Sequence, residues 1–451
     1  MKEPNALTLL LVPDIRLALQ NDDEDFIQDV VCHLHAADLA DILESLEEGE
    51  RTAFFQKLPP QKKVETMEHL EEPAELILLL PQEEVIPIIE SMSSDDRADM
   101  IKSLPEEFVE SLLPKISLQE RNDIKKLIAY PEGTAGAIMT TEYLSLPAHL
   151  RVEEALVQIR SLAPQRETIY YMYVVDSEGH LKGHLSLRDL VLADPEQRLQ
   201  EIMNPNVIAM HVFDDQEKVA QAIQKYDFLA IPILDRQERL VGIVTHDDVL
   251  DVLEVENTED AHKMAAVSPL EDAYMETPFW LLVRKRVFWL SLLFIGEMFT
   301  SSALSHFEHV LESYIVLVFF IPLIISAGGN AGSQSSTLIV RDMSVGEIGL
   351  RDWFVILLRE SKMGMVMGAL LGILGLGRAL LLGTDAKVAL IVMLTIMLVV
   401  TLGVLVGSGF PLIFRKLGLD PAVTSSPFVA SVVDVVGIVI YFLVARAVLG
   451  I

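Results

Sequence analysis

Ser426-Pro-Phe-Val-Ala-Ser-Val-Val-Asp434-Val-Val-Gly-Ile-Val-Ile-Tyr-Phe-Leu-Val-Ala445 is apolar enough and long enough to cross a bilayer, and Asp434 is its only ionisable residue. A helix needs about 20 such residues to span the hydrocarbon core. A carboxylate at its centre costs roughly 2.5 to 3.5 kcal/mol even on lenient insertion scales, so it faces a partner or a watery path. Working outward, apolar runs at about 287–306, 313–338, 353–377 and 386–412 join the one at 426–449. Five membrane spans are predicted, forming an all-α domain over residues 281–451.

The bases set the orientation. Arg284, Lys285, Arg286, Arg341, Arg351, Arg415 and Lys416 flank the spans on one side; Arg378, Lys387 and Arg446 flank them on the other. Bases accumulate on cytoplasmic flanks. The expected protein is a multi-pass protein of the cell (inner) membrane, with its N-terminus in the cytoplasm and its C-terminus outside. Arg359, Glu360 and Lys362 then fall at the inner end of span three, and Glu308 and Glu312 in an outer loop.

Residues 1–275 carry 55 acids against 23 bases, whereas residues 276–451 are nearly neutral. So acidic a half repels nucleic acid and anionic lipid headgroups, which excludes both as its partners. Most of its acids, taken singly, are a solvated surface. Cys32 is the sole cysteine, which rules out an internal disulfide framework and suits a reducing compartment. Its neighbours His33 and His35 make a poor zinc set. Met1-Lys-Glu-Pro-Asn lacks the basic n-region of a signal peptide, so none is expected, nor is a lipid anchor.

Within residues 1–130, apolar residues stand just ahead of helix-start signals at Leu46, Leu58, Leu70, Leu80, Met92, Leu104 and Ile116, almost all 12 residues apart. Leu58-Pro-Pro-Gln, Leu80-Pro-Gln-Glu-Glu, Met92-Ser-Ser-Asp-Asp and Leu104-Pro-Glu-Glu place proline or acids in a first turn, where both favour a helix. So short a period predicts stacked single helices, a small α-solenoid. Such a stack serves binding or sensing more often than catalysis.

Residues 131–200 and 201–256 are a duplicated αβ module. Asp176 to Leu190 repeats as Asp235 to Val249 at an offset of 59, with Gly183 aligned to Gly242 and Asp189 to Asp248. Each copy follows a strand-like run, Tyr170–Val175 and Leu229–Leu234. The pair resembles tandem CBS domains, which often bind adenine nucleotides. Tyr171, Arg188 and Asp189 could hold a base, phosphate and ribose, with ATP a possible regulator; an ordinary helix cap explains Arg188-Asp189 equally well.

Span two contains Gly328-Gly329-Asn330-Ala-Gly332-Ser-Gln334. No Lys-Ser/Thr follows, so it is not a phosphate loop. Its glycines either let helices pack closely or open the backbone toward a pore. Asn330 and Gln334, one turn apart, together with Asp434, tilt that choice toward a polar pathway.

These residues together resemble the MgtE family of magnesium channels over nearly the whole chain. The most specific pieces are Pro322…Gly328-Gly-Asn-Ala-Gly-Ser-Gln334, Arg341-Asp342, Asp420-Pro-Ala422, Asp434-Val-Val-Gly437 and the acidic run Asp247 to Lys263. The resemblance implies a homodimer with its pore on the two-fold axis and Asp434 as the ion-selecting carboxylate. It implies a pore lined by Gly328, Gly329, Asn330, Gln334, Ser426 and Ala430. Regulatory Mg²⁺ would bind Asp95 and Asp99 of the helical domain, Asp215, Glu217, Asp227, Asp248 and Asp251 of the second CBS module, and Glu256, Glu259 and Asp260. Residues 257–280 would be a connecting helix that plugs the pore. Two departures stand out: Glu297 lies in span one where a well-known family member has a small residue, and Ser426 replaces a larger polar residue.

Mg²⁺ dehydrates reluctantly and keeps most of its waters, so one carboxylate per chain suits a hydrated ion held through its waters. Like charges ~4 Å apart repel by about 4 kcal/mol at an effective dielectric of ~20. Acids facing each other across a domain boundary would therefore splay apart without a cation and compact with one. The expectation is a channel closed by high internal Mg²⁺. The alternative is a CBS-regulated channel for Co²⁺ or Ni²⁺, against which the scarcity of His and Cys along the membrane path counts. No nucleophile–base pair, metal triad or phosphate loop marks an enzyme.

Overall fold

Between Ala6 and Ile128 the computed structural model shows a succession of short helices, most of 7 to 11 residues. The structure describes residues 6–270, 274–275 and 277–450, which form two compact units, Met1–Leu253 and Glu254–Ile451. The 12-residue period has a simple origin. Leu80, Met92 and Leu104 are the residues just past the helices Pro73–Leu79, Gln82–Ser91 and Ser94–Ser103, in extended backbone. Each turns inward as its helix stops, so all but Leu70 of the periodic residues are buried and Leu70 packs against the same core.

The two αβ modules have identical topology. In the first, β1 (Ser145–Pro147) pairs in parallel with β2 (Tyr171–Val175), which pairs antiparallel with β3 (Leu181–Ser186). In the second, β4 (Met210–His211), β5 (Ala230–Leu234) and β6 (Leu240–Thr245) repeat the order. The aligned glycines have one cause. A Cβ on Gly183 would lie 2.7 Å from Met203 Sδ and 2.9 Å from the Asn204 carbonyl; one on Gly242 would lie 2.6 Å from Met139 Sδ and 2.8 Å from the Thr140 carbonyl. In each module a neighbouring segment bridges to the last strand or beside it, and only glycine leaves room.

Among its described residues, the second unit holds five helices long and apolar enough to span a membrane: Phe279–His306, Ile321–Ser344 (led in by a turn from Ile315), Trp353–Leu381, Ala386–Lys416 and Ser426–Leu449. Span four is the central helix, packed by spans two, three and five. Its contacts are backbone to backbone. A Cβ on Gly403 would come 2.4 Å from the Gly328 carbonyl, and one on Gly407 2.1 Å from the Gly332 carbonyl. By the same measure Gly364, Gly368 and Gly372 of span three lie 2.9, 2.7 and 2.8 Å from Thr401, Met397 and Met393. Close approach through small residues is how helices gain packing energy where lipid offers no hydrophobic contrast.

The expected connecting helix is shorter than 257–280. It is the last part of one helix, His246–Met264. Ala266 adopts φ 57°, and the amides of Ala266 and Val267 turn back to the carbonyls of Lys263 and His262 at 2.9 Å, closing the helix with Pro269 just beyond. Residues 271–273 and 276 lie outside the described residues.

Gly407→Ala should force spans two and four apart, at a cost of about 1–3 kcal/mol. Gly377→Ala, whose new methyl would meet nothing within 4 Å, should be neutral or mildly stabilising. Thermal unfolding of the purified protein in detergent separates the two; equal midpoints would refute the close-packing account.

Candidate ion sites

Span five is fastened at both ends. Ser425 caps it by accepting from the Phe428 amide at 3.3 Å. Ser333 and Ser336 of span two donate to the carbonyls of Ser426 and Thr424 at 3.1 and 2.9 Å, and the Thr337 and Ser426 hydroxyls pair at 3.3 Å. Farther along, Tyr441 donates to the Leu317 carbonyl at 2.9 Å, and Phe442 stacks on Phe307 with centroids 4.9 Å apart. Between these anchors Asp434 is half-buried, its Oδ1 sealed from solvent and without a hydrogen-bond donor. A Cβ on Gly329 would lie 3.7 Å from that oxygen and 3.5 Å from Ala430 Cβ. The fold thus brings Gly329, Ala430 and Asp434 together.

The other pore-lining expectations divide. Asn330 and Gln334 are exposed in the single chain, and the Asn330 amide donates to Ser326 Oγ at 3.2 Å. Gly328 is closely packed: a Cβ there would lie 2.4 Å from Val399 and 2.8 Å from Val433. Within span two, Gly328 and Gly332 pack against neighbouring helices, and Gly329 reaches the acid.

At one end of the spans, a cavity of about 550 Å³ is lined by Asn257, Asp260 and Met264 of the connecting helix, Arg341 and Ser344 of span two, and Ser426 and Pro427 of span five. Arg341 donates to Asn257 Oδ1 at 2.8 Å. Lys263 bridges Asp420 at 2.6 Å and also pairs with Glu259. Burial works against the Lys263 charge, but these two pairings hold it protonated well beyond the ordinary lysine range. Burial, and then the Asp420 charge, push Asp260 up to about 6, with Glu256 and Glu259 adding to the shift. Asp420 and Lys263 were quoted in the sequence only as motif residues; their 157-residue separation hid the contact.

In the first unit, Asp95 and Asp96 open the helix Ser94–Ser103, which Ser93 caps, and Asp247 and Asp248 open the helix His246–Met264. Ser94 ties the helix to the CBS region: its hydroxyl meets Thr140 Oγ1 at 3.1 Å and accepts from the Thr141 amide at 2.7 Å. A pocket of about 380 Å³ results, lined by Glu68, Asp95, Asp96, Glu167, Asp247, Asp248 and Asp251 among others. Asp95 is buried, and its Oδ1 has no hydrogen-bond partner. Burial, with Asp248 and Asp96 beside it, drives the Asp95 carboxyl far up from its ordinary range. Burial raises Asp248 to about 7, partly offset by the Thr245 hydroxyl that donates to it. Glu167 and Glu68 are likewise raised to about 7, burial first and neighbouring aspartates second. Neither glutamate was foreseen, because nothing in the sequence links positions 68, 95, 167 and 248.

The remaining expected acids are elsewhere. Asp99 is exposed and pairs with Lys102 at 2.7 Å. Asp215 caps the helix Gln216–Tyr226, accepting from the Glu217 amide at 2.9 Å, while Glu217 accepts from Gln221 at 3.1 Å and Asp227 ends that helix at φ 53°. None of these four lines the acid pocket. Among the described residues, no three His, Cys, Asp or Glu side chains converge as a preformed metal cage. Tyr171 lines a separate cleft with Tyr173, His184, Ile208 and Phe228. Asp189 caps its helix, accepting from the Ser186 hydroxyl at 2.6 Å and amide at 2.9 Å, and Arg188 beside it is exposed.

Five apolar spans, a carboxylate without a donor among them and an acid-lined CBS-bearing unit define a membrane transporter for cations. Residues 321–444 match the MgtE divalent cation transporter family, 34–133 the MgtE intracellular N domain, and 135–196 and 199–255 CBS domains. The chain is 40% identical to the magnesium transporter MgtE of Thermus thermophilus, covering 97% of this chain and 98% of that one, and 32% identical to its Bacillus subtilis counterpart over 93% of each. Among solved structures, the cytosolic domain of the Mg²⁺ channel MgtE in complex with ATP is 41% identical, with a TM-score of 0.52, covering 54% of this chain and all of that one. The soluble part of a magnesium transporter is 34% identical at the same TM-score, covering 55% and 99%. The chain belongs to the MgtE family.

Because Asp248, Glu167 and Glu68 titrate near 7 when folded but near 4 when unfolded, the folded unit holds extra protons between those values. Its stability without divalent cations should therefore fall as pH rises from 4 through 7. A divalent cation that displaced those protons would therefore stabilise the unit increasingly across the same range. Proteolytic protection of residues 6–253, measured at pH 5.5 and 8 with EDTA or Mg²⁺, tests this. Protection in EDTA that improves with pH would contradict it.

Proposed function

We propose that this chain forms a homodimeric, Mg²⁺-selective pore that admits magnesium to the cytoplasm and closes when internal Mg²⁺ is high. The observation that carries the reading is Asp434, whose donor-free Oδ1 lies beside the bare backbone of Gly329 between well-anchored spans. Two symmetry-related carboxylates would hold a hydrated ion through its waters, since Mg²⁺ gives up its waters reluctantly. The magnesium transporters similar to this chain along almost their full length support the choice of ion.

Gating follows from the acid pocket. With Mg²⁺ bound, the buried charge on Asp95, Asp96, Asp248 and Asp251 is compensated and the compact arrangement is favoured. Without it, repulsion opens the pocket. A switch from 1:99 to 99:1 requires about 5.5 kcal/mol of differential binding, within reach of two or three weakly bound ions. The connecting helix closes the inner end of the pore where Asn257 and Asp260 line a cavity with Ser426. Glu256, Glu259 and Asp260 answer to Mg²⁺ there, and Asp99, Asp215, Glu217 and Asp227 contribute outer sensing acids. Tyr171 and its cleft offer an adenine nucleotide a stacking site, in keeping with the ATP complex of a related cytosolic domain. The C-terminus faces outward.

Mg²⁺ uptake into proteoliposomes tests the pore. Wild type should take up Mg²⁺ in preference to Ca²⁺, Co²⁺ and Ni²⁺, and Asp434→Ala should abolish that uptake while leaving Mg²⁺-dependent protease protection intact. Uptake by Asp434→Ala at the wild-type rate, or equal preference for Co²⁺ or Ni²⁺, would overturn the assignment.

A further inference from the structure

Span one touches the rest of its unit along a single stripe. Leu293, Gly296, Glu297, Thr300, Ala303 and Leu304 are its half-buried positions there, and neighbouring positions are exposed. Glu297 is the only ionisable member. The stripe meets span five: a Cβ on Gly296 would lie 3.9 Å from Ser431 Cβ, and Phe307 stacks on Phe442. Both contacts pair positions 135 apart, so the helices run parallel in constant register. Position 434 is then level with position 299, about 3 Å along the axis from Glu297 at 1.5 Å per residue. A glutamate side chain spans that step, and among the described residues Glu297 is the one ionisable group that bears on Asp434. Thr300, one turn on, donates to Glu297 Oε2 at 3.1 Å and steadies it.

We propose that Glu297 is a positioning and specificity-determining residue that acts through Asp434, adding a second negative side chain per subunit to the cation-binding step in the pore. The inference rests on the pore reading above. The two carboxyl groups interact directly; when both are ionised their like charges repel, and a cation held by Asp434 compensates both. Two acids per subunit attract a divalent cation more strongly than one. They also favour ions that exchange water for carboxylate more readily than Mg²⁺, Ca²⁺ foremost.

The test is Mg²⁺ uptake by the full-length protein in proteoliposomes, with and without competing Ca²⁺. Glu297→Gln should raise half-saturating Mg²⁺ about tenfold, equivalent to about 1.4 kcal/mol, leave maximal flux within twofold of wild type, and weaken Ca²⁺ inhibition by at least as much. Glu297→Asp should restore both values. Unchanged half-saturation and Ca²⁺ inhibition in Glu297→Gln would overturn the proposal. So would a loss of maximal flux that Glu297→Asp fails to rescue, since that marks a packing role. If wild type itself takes up no Mg²⁺, the pore reading has failed; if wild type transports and Glu297→Gln behaves identically, only the role of Glu297 has failed.

Discussion

A carboxylate taken out of water must find a donor, a proton or a cation, because desolvation penalises its charge by several kcal/mol. That constraint operates twice in this chain. Asp434, between membrane spans, has an oxygen sealed from solvent with no donor. Asp95, in the N-terminal unit, has another, in a pocket that several further acids line. Neither arrangement is the way to stabilise a protein for its own sake. Replacing such acids by apolar residues of similar size would remove the penalty outright. Their presence ties the energy of each unit to whatever proton or cation meets the charge.

The membrane unit meets the constraint by spending side chains sparingly. Gly328, Gly332, Gly403 and Gly407 let spans two and four touch through their backbones, a separation no larger residue permits. With those helices locked, the next residue along, Gly329, lies open to Asp434. Serines of span two then donate to carbonyls at the start of span five, and the Tyr441 hydroxyl of span five donates to the Leu317 carbonyl in the turn leading into span two. A second internal acid shows the contrasting solution: Glu360 of span three is buried but accepts from Ser335 at 2.6 Å. One buried carboxyl is satisfied within the fold, and the other is left wanting.

Much of this was legible in the linear order of residues. Five apolar runs, the 12-residue helical period and the 59-residue repeat each depend on local chemistry, and each corresponds to an element of the structure. Individual roles were less legible. Gly328 and Gly329 are adjacent and chemically identical, yet they face different neighbours, because successive helical positions point about 100° apart. Asp189 and Asp248 occupy equivalent places in the repeat, and both cap a helix. Only Asp248 also joins other acids, because the helix Ser94–Ser103 comes to it from a distant part of the sequence. The connecting helix was overestimated because Ala266, which ends it in a left-handed turn, is a residue type that ordinarily prolongs helices.

Sequence by itself determined the class: how many times the chain can cross a membrane, which side its bases favour, where the charge accumulates and which module is duplicated. These follow from composition and period, which act over a turn or a strand. Only the tertiary structure decided which acids share a pocket, that Lys263 answers Asp420 and that Glu297 comes close to Asp434. Electrostatic energy depends on distance in space, and residues tens or hundreds of positions apart acquire that distance only when the chain packs.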